Sequence, residues 1–225
     1  MIVTKPRSLE RILEDLQSVG ARRVFVVGCG ECATAARTGG EEEVAAFSRW
    51  LAEHGFEPTG GVVPEVTCHR PGAASALRKH REALDDSDAV VVLACGAGTQ
   101  AVADAAGLPV FPGLESSFLG MAVRNAEFEE RCQMCGECVL DATAGICPVT
   151  ACPKGLLNGP CGAMWEGVCE ALGDQECVHV RIRERLAAQG RGAAGVLPPK
   201  DWSKKRKPDA VSVRERVRRG QEGSR

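Results

Sequence analysis

The sequence RVFVVGCGECA, residues 23–33, decides the fold of the first half of the chain. The apolar run at residues 24–27 predicts a buried strand, and the glycines and cysteines that follow predict a turn. A helix is expected before this strand, with Ser8 as its N-cap and Gly20 as its end. This alternation of strands and helices is typical of a parallel sheet.

The same order of elements continues to residue 110. Helices are expected over residues 41–54, 73–84 and 99–106, and strands over residues 62–67, 89–94 and 108–110. The pattern predicts an α/β fold: a small doubly wound parallel sheet with helices on both faces, followed by a cysteine-rich, loop-rich metal-binding domain and a basic tail. The expected domains are residues 1–120, 121–186 and 187–225.

Twelve cysteines fall into two groups. The first group lies in the α/β half and consists of Cys29, Cys32, Cys68 and Cys95. The second group lies within 46 residues and consists of Cys132, Cys135, Cys138, Cys147, Cys152, Cys161, Cys169 and Cys177. Since an all-cysteine metal site has four ligands, twelve cysteines predict three such sites.

Disulfides are the other common use of many cysteines, and they require an oxidising compartment. The first eight residues, MIVTKPRS, contain no apolar segment of a signal peptide, and no 18-residue apolar run predicts a membrane span. We therefore expect a cytoplasmic protein with reduced thiols.

The first four cysteines are predicted to meet at one edge of the sheet. Ligands collect at the carboxyl ends of parallel strands, where each of these cysteines is expected. Neighbouring glycines would let backbone N–H groups approach the sulfurs, and the expected glycines are Gly28, Gly30, Gly96 and Gly98. This arrangement suits a [4Fe–4S] cluster, although four thiolates also bind zinc.

A dinucleotide site is a competing interpretation of the same turn, because Gly28, Gly30 and Ala33 form a G-x-G-x-x-A pattern after a strand. The acidic residue that such a site needs at the end of the next strand is replaced by Cys68. A nicotinamide-binding oxidoreductase is therefore the weaker hypothesis.

The second group begins with the C-x2-C-x2-C spacing of bacterial ferredoxins at Cys132, Cys135 and Cys138. We group these three with Cys177, and we group Cys147, Cys152, Cys161 and Cys169 as the other set. A structural zinc module is the alternative for at least one site. His69 and His179 stand beside cysteines and are expected outside the ligand sets.

Charged residues are distributed unevenly along the chain. Residues 186–225 carry 11 Lys and Arg against 4 Asp and Glu, whereas residues 1–185 carry 17 against 26. We expect an extended or disordered basic tail that docks on a partner or on the acidic body of the protein. Nucleic acid is not an expected partner, because Trp202 is the tail's single aromatic residue and no nucleic-acid motif is present.

Four segments together resemble a known cysteine-rich family. They are EERCQMCGECVL at 129–140, GICPVTACPKGLLNGPCG at 145–162, GVCE at 167–170 and CV at 177–178. The pattern resembles the region named after the C-terminus of methylenetetrahydrofolate reductase. With the cysteine turn in front, residues 20–186 are similar to the small partner subunits of bacterial two-subunit reductases of this kind, and the tail beyond residue 186 falls outside the resemblance.

The resemblance implies an iron–sulfur or zinc protein that binds a flavin-containing TIM-barrel subunit, which reduces methylenetetrahydrofolate. It implies neither a folate nor a flavin site in this chain, and we predict no catalytic residue. The leading hypothesis is a scaffold whose one to three [4Fe–4S] clusters pass electrons to or from the partner's flavin, with a ferredoxin or another carrier as a further partner. The alternative is a structural zinc subunit of the same complex.

Overall fold

The computed structural model describes residues 1–193 and 195–204. It divides into two compact units, Met1–Gln133 and a second unit that begins at Met134. Each unit is described by itself below.

The first unit contains seven strands and six helices. The strands are β1 (Ile2–Pro6), β2 (Arg23–Val27), β3 (Glu57–Val62), β4 (Ala89–Val92), β5 (Val110–Pro112), β6 (Leu114–Arg124) and β7 (Glu127–Cys132). The helices are α1 (Leu9–Ser18), α2 (Cys32–Ala35), α3 (Glu41–Glu53), α4 (Arg70–Lys79), α5 (Arg81–Asp85) and α6 (Gly96–Ala106). The predicted N-cap is confirmed, since the Ser8 hydroxyl accepts the Arg11 N–H at 3.3 Å.

A four-stranded parallel sheet in the order β3-β2-β4-β5 forms the centre of this unit and confirms the predicted α/β fold. Val24, Val26 and Val27 of β2 are fully buried, as are all four residues of β4. The chain order reverses between β2 and β4, because β3 lies on one side of β2 and β4 on the other. Ligands of open parallel sheets bind at the carboxyl ends of the strands beside such a reversal.

Two predicted elements differ from the structure. The second strand of the sheet is β3, which ends at Val62, whereas it was predicted over 62–67. Its pairing with β2 finishes at Val27 and Val62, and Pro64 soon afterwards has no N–H to extend the ladder. Cys68 consequently lies on a loop before α4 and not at a strand end. The helix predicted over 73–84 is divided at His80 into α4 and α5.

A second sheet, with the order β1-β6-β7 and antiparallel pairing, was not predicted. In the pairing of β1 with β6, Ile2 lies opposite Leu119 and Pro6 lies opposite Leu114, so the two strands come from opposite ends of the unit. Such distant pairing leaves no local signal in a five-residue strand.

The second unit has little regular structure. It contains α7 (Pro148–Ala151), α8 (Val178–Ala188) and a 3-10 turn at Trp202–Lys204. The predicted closing helix over 178–186 is confirmed as α8, with Cys177 as its N-cap. Its hydrophobic core is small, with the buried residues Ala144, Ile146, Val178, Ile182 and Leu186.

The predicted extended tail can be followed only in part, because residues 194 and 205–225 lie outside the described residues. Within the part of the chain that is described, no helix is both long enough and apolar enough to cross a membrane.

Candidate metal centres

The first four cysteines come from three connections at the carboxyl edge of the parallel sheet. Cys29 and Cys32 follow β2, and Cys32 begins α2. Cys95 follows β4 as the N-cap of α6, and Cys68 precedes α4. Because β2 and β4 are neighbouring parallel strands, Cys29 and Cys95 leave the same edge of the sheet.

Electrostatics link all four thiols. The pKa of the Cys68 thiol is raised, first by burial and then by the negative charges of Cys95, Cys29 and Cys32. Charges influence one another in this way only over short distances near a protein surface. The structure therefore brings the four predicted ligands into one neighbourhood.

Cys29 has the environment of a stabilised thiolate. The side chain is buried, which acts to raise its pKa, but backbone N–H groups of Thr67, Glu31 and Ala33 bring the pKa below its ordinary value. N–H donors that point at a sulfur favour its negative form. The same donors stabilise the charge of a thiolate that binds metal.

Thr67 is a residue of this site that the sequence analysis missed. It is fully buried, and its hydroxyl donates to the Gly28 carbonyl at 2.7 Å. Its backbone N–H is one of the donors to Cys29. The only signal in the sequence was its position next to Cys68, which does not distinguish it from any other polar neighbour.

Gly28 and Gly96 have a different role from the one predicted. A Cβ on Gly28 would overlap the Gly39 carbonyl oxygen and lie 2.7 Å from Val44 Cγ2, so Gly28 permits close backbone packing. The Gly96 N–H donates to Ser116 Oγ at 3.0 Å and not to a sulfur. The N–H donors to Cys29 come from residues other than the expected glycines.

The dinucleotide interpretation gains little from this turn. The glycine pattern leads into α2, which is only four residues long. A phosphate site at a helix N-terminus depends on the dipole of a longer helix.

In the second unit, one pocket gathers four cysteines: Cys152, Cys161, Cys169 and Cys177. Cys177 stands here in place of Cys147, which the sequence grouping had put with the other three. Cys147 is the N-cap of α7, and Cys138 is exposed. Cys135 has its sulfur 3.7 Å from the Glu137 carbonyl oxygen.

Two basic side chains line this pocket. Lys154 Nζ lies 3.9 Å from Cys161 Sγ and forms an ion pair with Glu170. The pKa of Lys154 is raised, mainly by the hydrogen bond with Glu170 and further by the Cys161 charge. His179 Nε2 lies 3.1 Å from the Leu156 carbonyl oxygen, and burial lowers the pKa of its ring. Because His179 Nε2 is hydrogen-bonded to this carbonyl, the residue fits a position beside the proposed ligands and not among them.

All twelve cysteines are free thiols. Over residues 1–193 and 195–204, no three Cys, His, Asp or Glu side chains are arranged as the ligands of a metal ion. The sulfurs of each neighbourhood would have to turn toward a common point to bind one. The donor chemistry nevertheless fits a soft metal, because both neighbourhoods supply four thiols with N–H or ammonium groups beside them.

Comparisons with known proteins match parts of this chain. No curated protein matches the chain. Two structures of arylmalonate decarboxylase, one of them unliganded, align with 45% and 46% of this chain, at 21% and 20% identity and TM-scores of 0.33 and 0.34. The aligned part is 46% of the decarboxylase chain, so this chain spans about half the length of those proteins, and the low TM-scores carry no argument about function.

A family model described as "Methylene-tetrahydrofolate reductase C terminal" matches residues 111–203, which is less than half of the chain. The match extends beyond residue 186, so it includes the beginning of the tail that the sequence analysis left outside the resemblance. Residues 111–203 thus match the methylene-tetrahydrofolate reductase C-terminal family, which the cysteine pattern resembles.

Proposed function

We propose that this chain is a non-catalytic iron–sulfur subunit of a methylenetetrahydrofolate reductase complex, where it transfers electrons and acts as a scaffold. The family match carries the proposal, because residues 111–203 contain eight of the twelve cysteines. The partner is a flavin-containing TIM-barrel catalytic subunit, and a ferredoxin or another carrier exchanges electrons with the clusters. Cytoplasmic location belongs to the same proposal, since thiolate ligands require reducing conditions.

The proposed ligands are the two cysteine groups. At the sheet edge they are Cys29, Cys32, Cys68 and Cys95. In the remainder of the chain they are Cys132, Cys135, Cys138, Cys147, Cys152, Cys161, Cys169 and Cys177. Iron–sulfur clusters bound there would supply one-electron steps to a flavin that performs two-electron chemistry.

The residues around the sulfurs have separate tasks in this proposal. Backbone N–H groups of Thr67, Glu31 and Ala33 offset negative charge at Cys29. Lys154 does the same at Cys161 with its ammonium group. Hydrogen bonds and charges next to sulfur determine the reduction potential of a cluster, so these groups would adjust the potential of each site.

A structural zinc subunit is the second candidate, and the small core of the second unit favours it. Five buried residues make up that core, and three of them lie on α8. Small domains with so little apolar burial commonly rely on a structural metal. Zinc in this unit is compatible with an iron–sulfur cluster at the sheet edge.

Metal analysis of anaerobically purified full-length protein tests the proposal. Iron and sulfide in equal amounts, with a broad visible absorption that dithionite bleaches, would support electron transfer. Zinc without iron would leave the structural subunit as the function. Protein that contains neither metal would contradict both candidates.

Substitutions at the sheet edge test the assignment of the first site. Cys29→Ser and Cys95→Ser should each lose the metal of one site and keep the metal of the cysteine-rich region. Ala52→Ser, at an exposed position of α3, adds the same hydroxyl to the same unit and should retain all metal. Unchanged metal content in both cysteine variants would contradict the assignment.

Copurification tests the partner. The chain and its TIM-barrel reductase subunit should elute as one complex, and electrons from the reduced chain should bleach the flavin of that subunit. Separate elution with no flavin reduction would contradict the proposed complex.

A further inference from the structure

A buried ammonium group in the second unit has no partner among the described residues. Lys200 Nζ is shielded from solvent and has neither a hydrogen bond nor an ion pair there. A lysine charge removed from water is unfavourable unless an anion lies beside it. Nothing in the composition indicates this, because Lys200 belongs to a segment that composition alone classifies as basic tail.

Residues 197–201 form a strap that is fixed at both ends. Asn158 Nδ2 donates to the Leu197 carbonyl at 2.8 Å, and the Leu197 N–H donates to Asn158 Oδ1 at 2.8 Å. At the other end, the Asp201 N–H donates to Glu137 Oε2 at 3.3 Å. Residues 198 and 199 are prolines, which restrict the backbone between these two anchors.

The second anchor holds the backbone next to Lys200 at Glu137, a residue of the C-x2-C-x2-C segment. Glu137 lies between Cys135 and Cys138, and it binds the residue directly after Lys200. The strap also lies inside residues 111–203, the range that matches the family. The strap therefore holds the backbone beside Lys200 at the segment that carries two of the proposed metal ligands.

Building on the proposed metal sites, we propose that Lys200 is the counter-cation of the metal–thiolate group that Cys135 and Cys138 help to bind. Thiolates bound to iron or zinc leave a net negative charge on the group. The buried ammonium group would offset that negative charge, and the negative group would be the anion that the ammonium group lacks. Lys200 is a positioning and charge-balancing residue in this proposal, and it is not a ligand.

Three variants of the full-length protein test this inference. Lys200→Met keeps the length of the side chain and removes its charge, whereas Lys200→Arg keeps the charge. Lys5→Met removes a lysine charge from an exposed position of β1 and is the control. The rate at which a chelator removes metal, and the reduction potential of each iron centre where iron is present, are measured for all three and for the wild type.

Lys200→Met should lose the metal of one site about tenfold faster than the wild type, as is typical when a group beside the ligands is removed. Where that site holds iron, its potential should fall, because removing a cation disfavours the more negative reduced state. Lys200→Arg and Lys5→Met should behave as the wild type. Equal rates and potentials for Lys200→Met and Lys5→Met would overturn the inference.

Asn158→Ala supplies an independent test if Lys200→Met folds poorly. It releases the strap at Leu197 and leaves the lysine charge in place, so it should also accelerate metal loss from the same site. No acceleration would overturn the role of the strap. If the wild-type protein binds only zinc, the proposed electron transfer is refuted, but the zinc-release rates of the variants still test the role of Lys200. If the wild-type protein binds no metal, both proposals are overturned.

Discussion

Replacing Gly28 with alanine tests whether close packing of the turn holds the first cysteine site together. The added Cβ would overlap the Gly39 carbonyl oxygen and approach Val44 Cγ2 to 2.7 Å. The backbone has little freedom to move aside, since the Gly28 N–H donates to Val62 O at 2.8 Å and the Gly28 carbonyl accepts from Thr67. Overpacking of this kind costs about 1–3 kcal/mol.

Gly96→Ala is the matched control, because it adds the same methyl group beside Cys95 at the same sheet edge. The nearest atom to its Cβ would be Ser116 Oγ at 3.8 Å, and alanine suits the first turn of α6. We expect this variant to be as stable as the wild type or to gain up to about 1 kcal/mol.

Urea denaturation of metal-free protein, followed by circular dichroism, measures the free energy of unfolding of each variant. Gly28→Ala should lower it by about 2 kcal/mol relative to Gly96→Ala. Metal analysis of the purified variants should show a loss at one site for Gly28→Ala and no loss for Gly96→Ala. Equal stability and equal metal content in the two variants would refute the argument from packing.

Three further predictions concern hydrogen bonds and protonation. Thr67→Val should cost about 1–3 kcal/mol in urea denaturation, because it leaves the buried Gly28 carbonyl without its donor; stability equal to the wild type would contradict this. The lowered pKa of Cys29 contributes stability above the ordinary thiol pKa of 9.0 that is lost as the pH falls through the folded value. The raised pKa of Cys68 contributes stability below 9.0 that is lost as the pH rises through the folded value. In metal-free protein, Cys29→Ser and Cys68→Ser should therefore change the pH dependence of stability near pH 9 in opposite directions, and changes of the same sign would contradict the two assignments. Asp88 accepts the Arg22 and Arg23 N–H groups, which lowers its pKa, so Asp88→Asn should reduce the loss of stability in acid, and unchanged acid denaturation would contradict this.

The parallel sheet was predictable because its central strands are short, apolar and flanked by turns. Residues 24–27 and 89–92 carry this signal without interruption. The strand β3 was misplaced because its sequence EPTGGV has a proline, two glycines and one branched apolar residue, so nothing in it indicates a strand. Its pairing with β2 is a tertiary effect that local preference does not contain.

The cysteine sites were predictable in composition and less so in grouping. The spacing of Cys132, Cys135 and Cys138 indicates a metal segment, but nothing in the spacing says that Cys177 lines a pocket with Cys152, Cys161 and Cys169. That pocket lies where α8 begins, and its lining brings Cys177 together with residues that precede it by more than twenty positions. The position of Lys200 could not be predicted, since it depends on the hydrogen bonds that join the strap to Asn158 and Glu137.

The two units differ in the groups that would offset thiolate charge. In the first unit, a turn at the end of β2 and the loop before α4 orient N–H groups of Glu31, Ala33 and Thr67 at Cys29. In the second unit, Lys154 Nζ lies 3.9 Å from Cys161 Sγ, and Lys200 is the further side-chain charge that we propose for this role. A backbone N–H is lost only when its residue is replaced by proline, whereas any uncharged residue in place of a lysine removes its charge. Substitutions that remove one side-chain charge should therefore affect metal binding more strongly in the second unit than at the sheet edge.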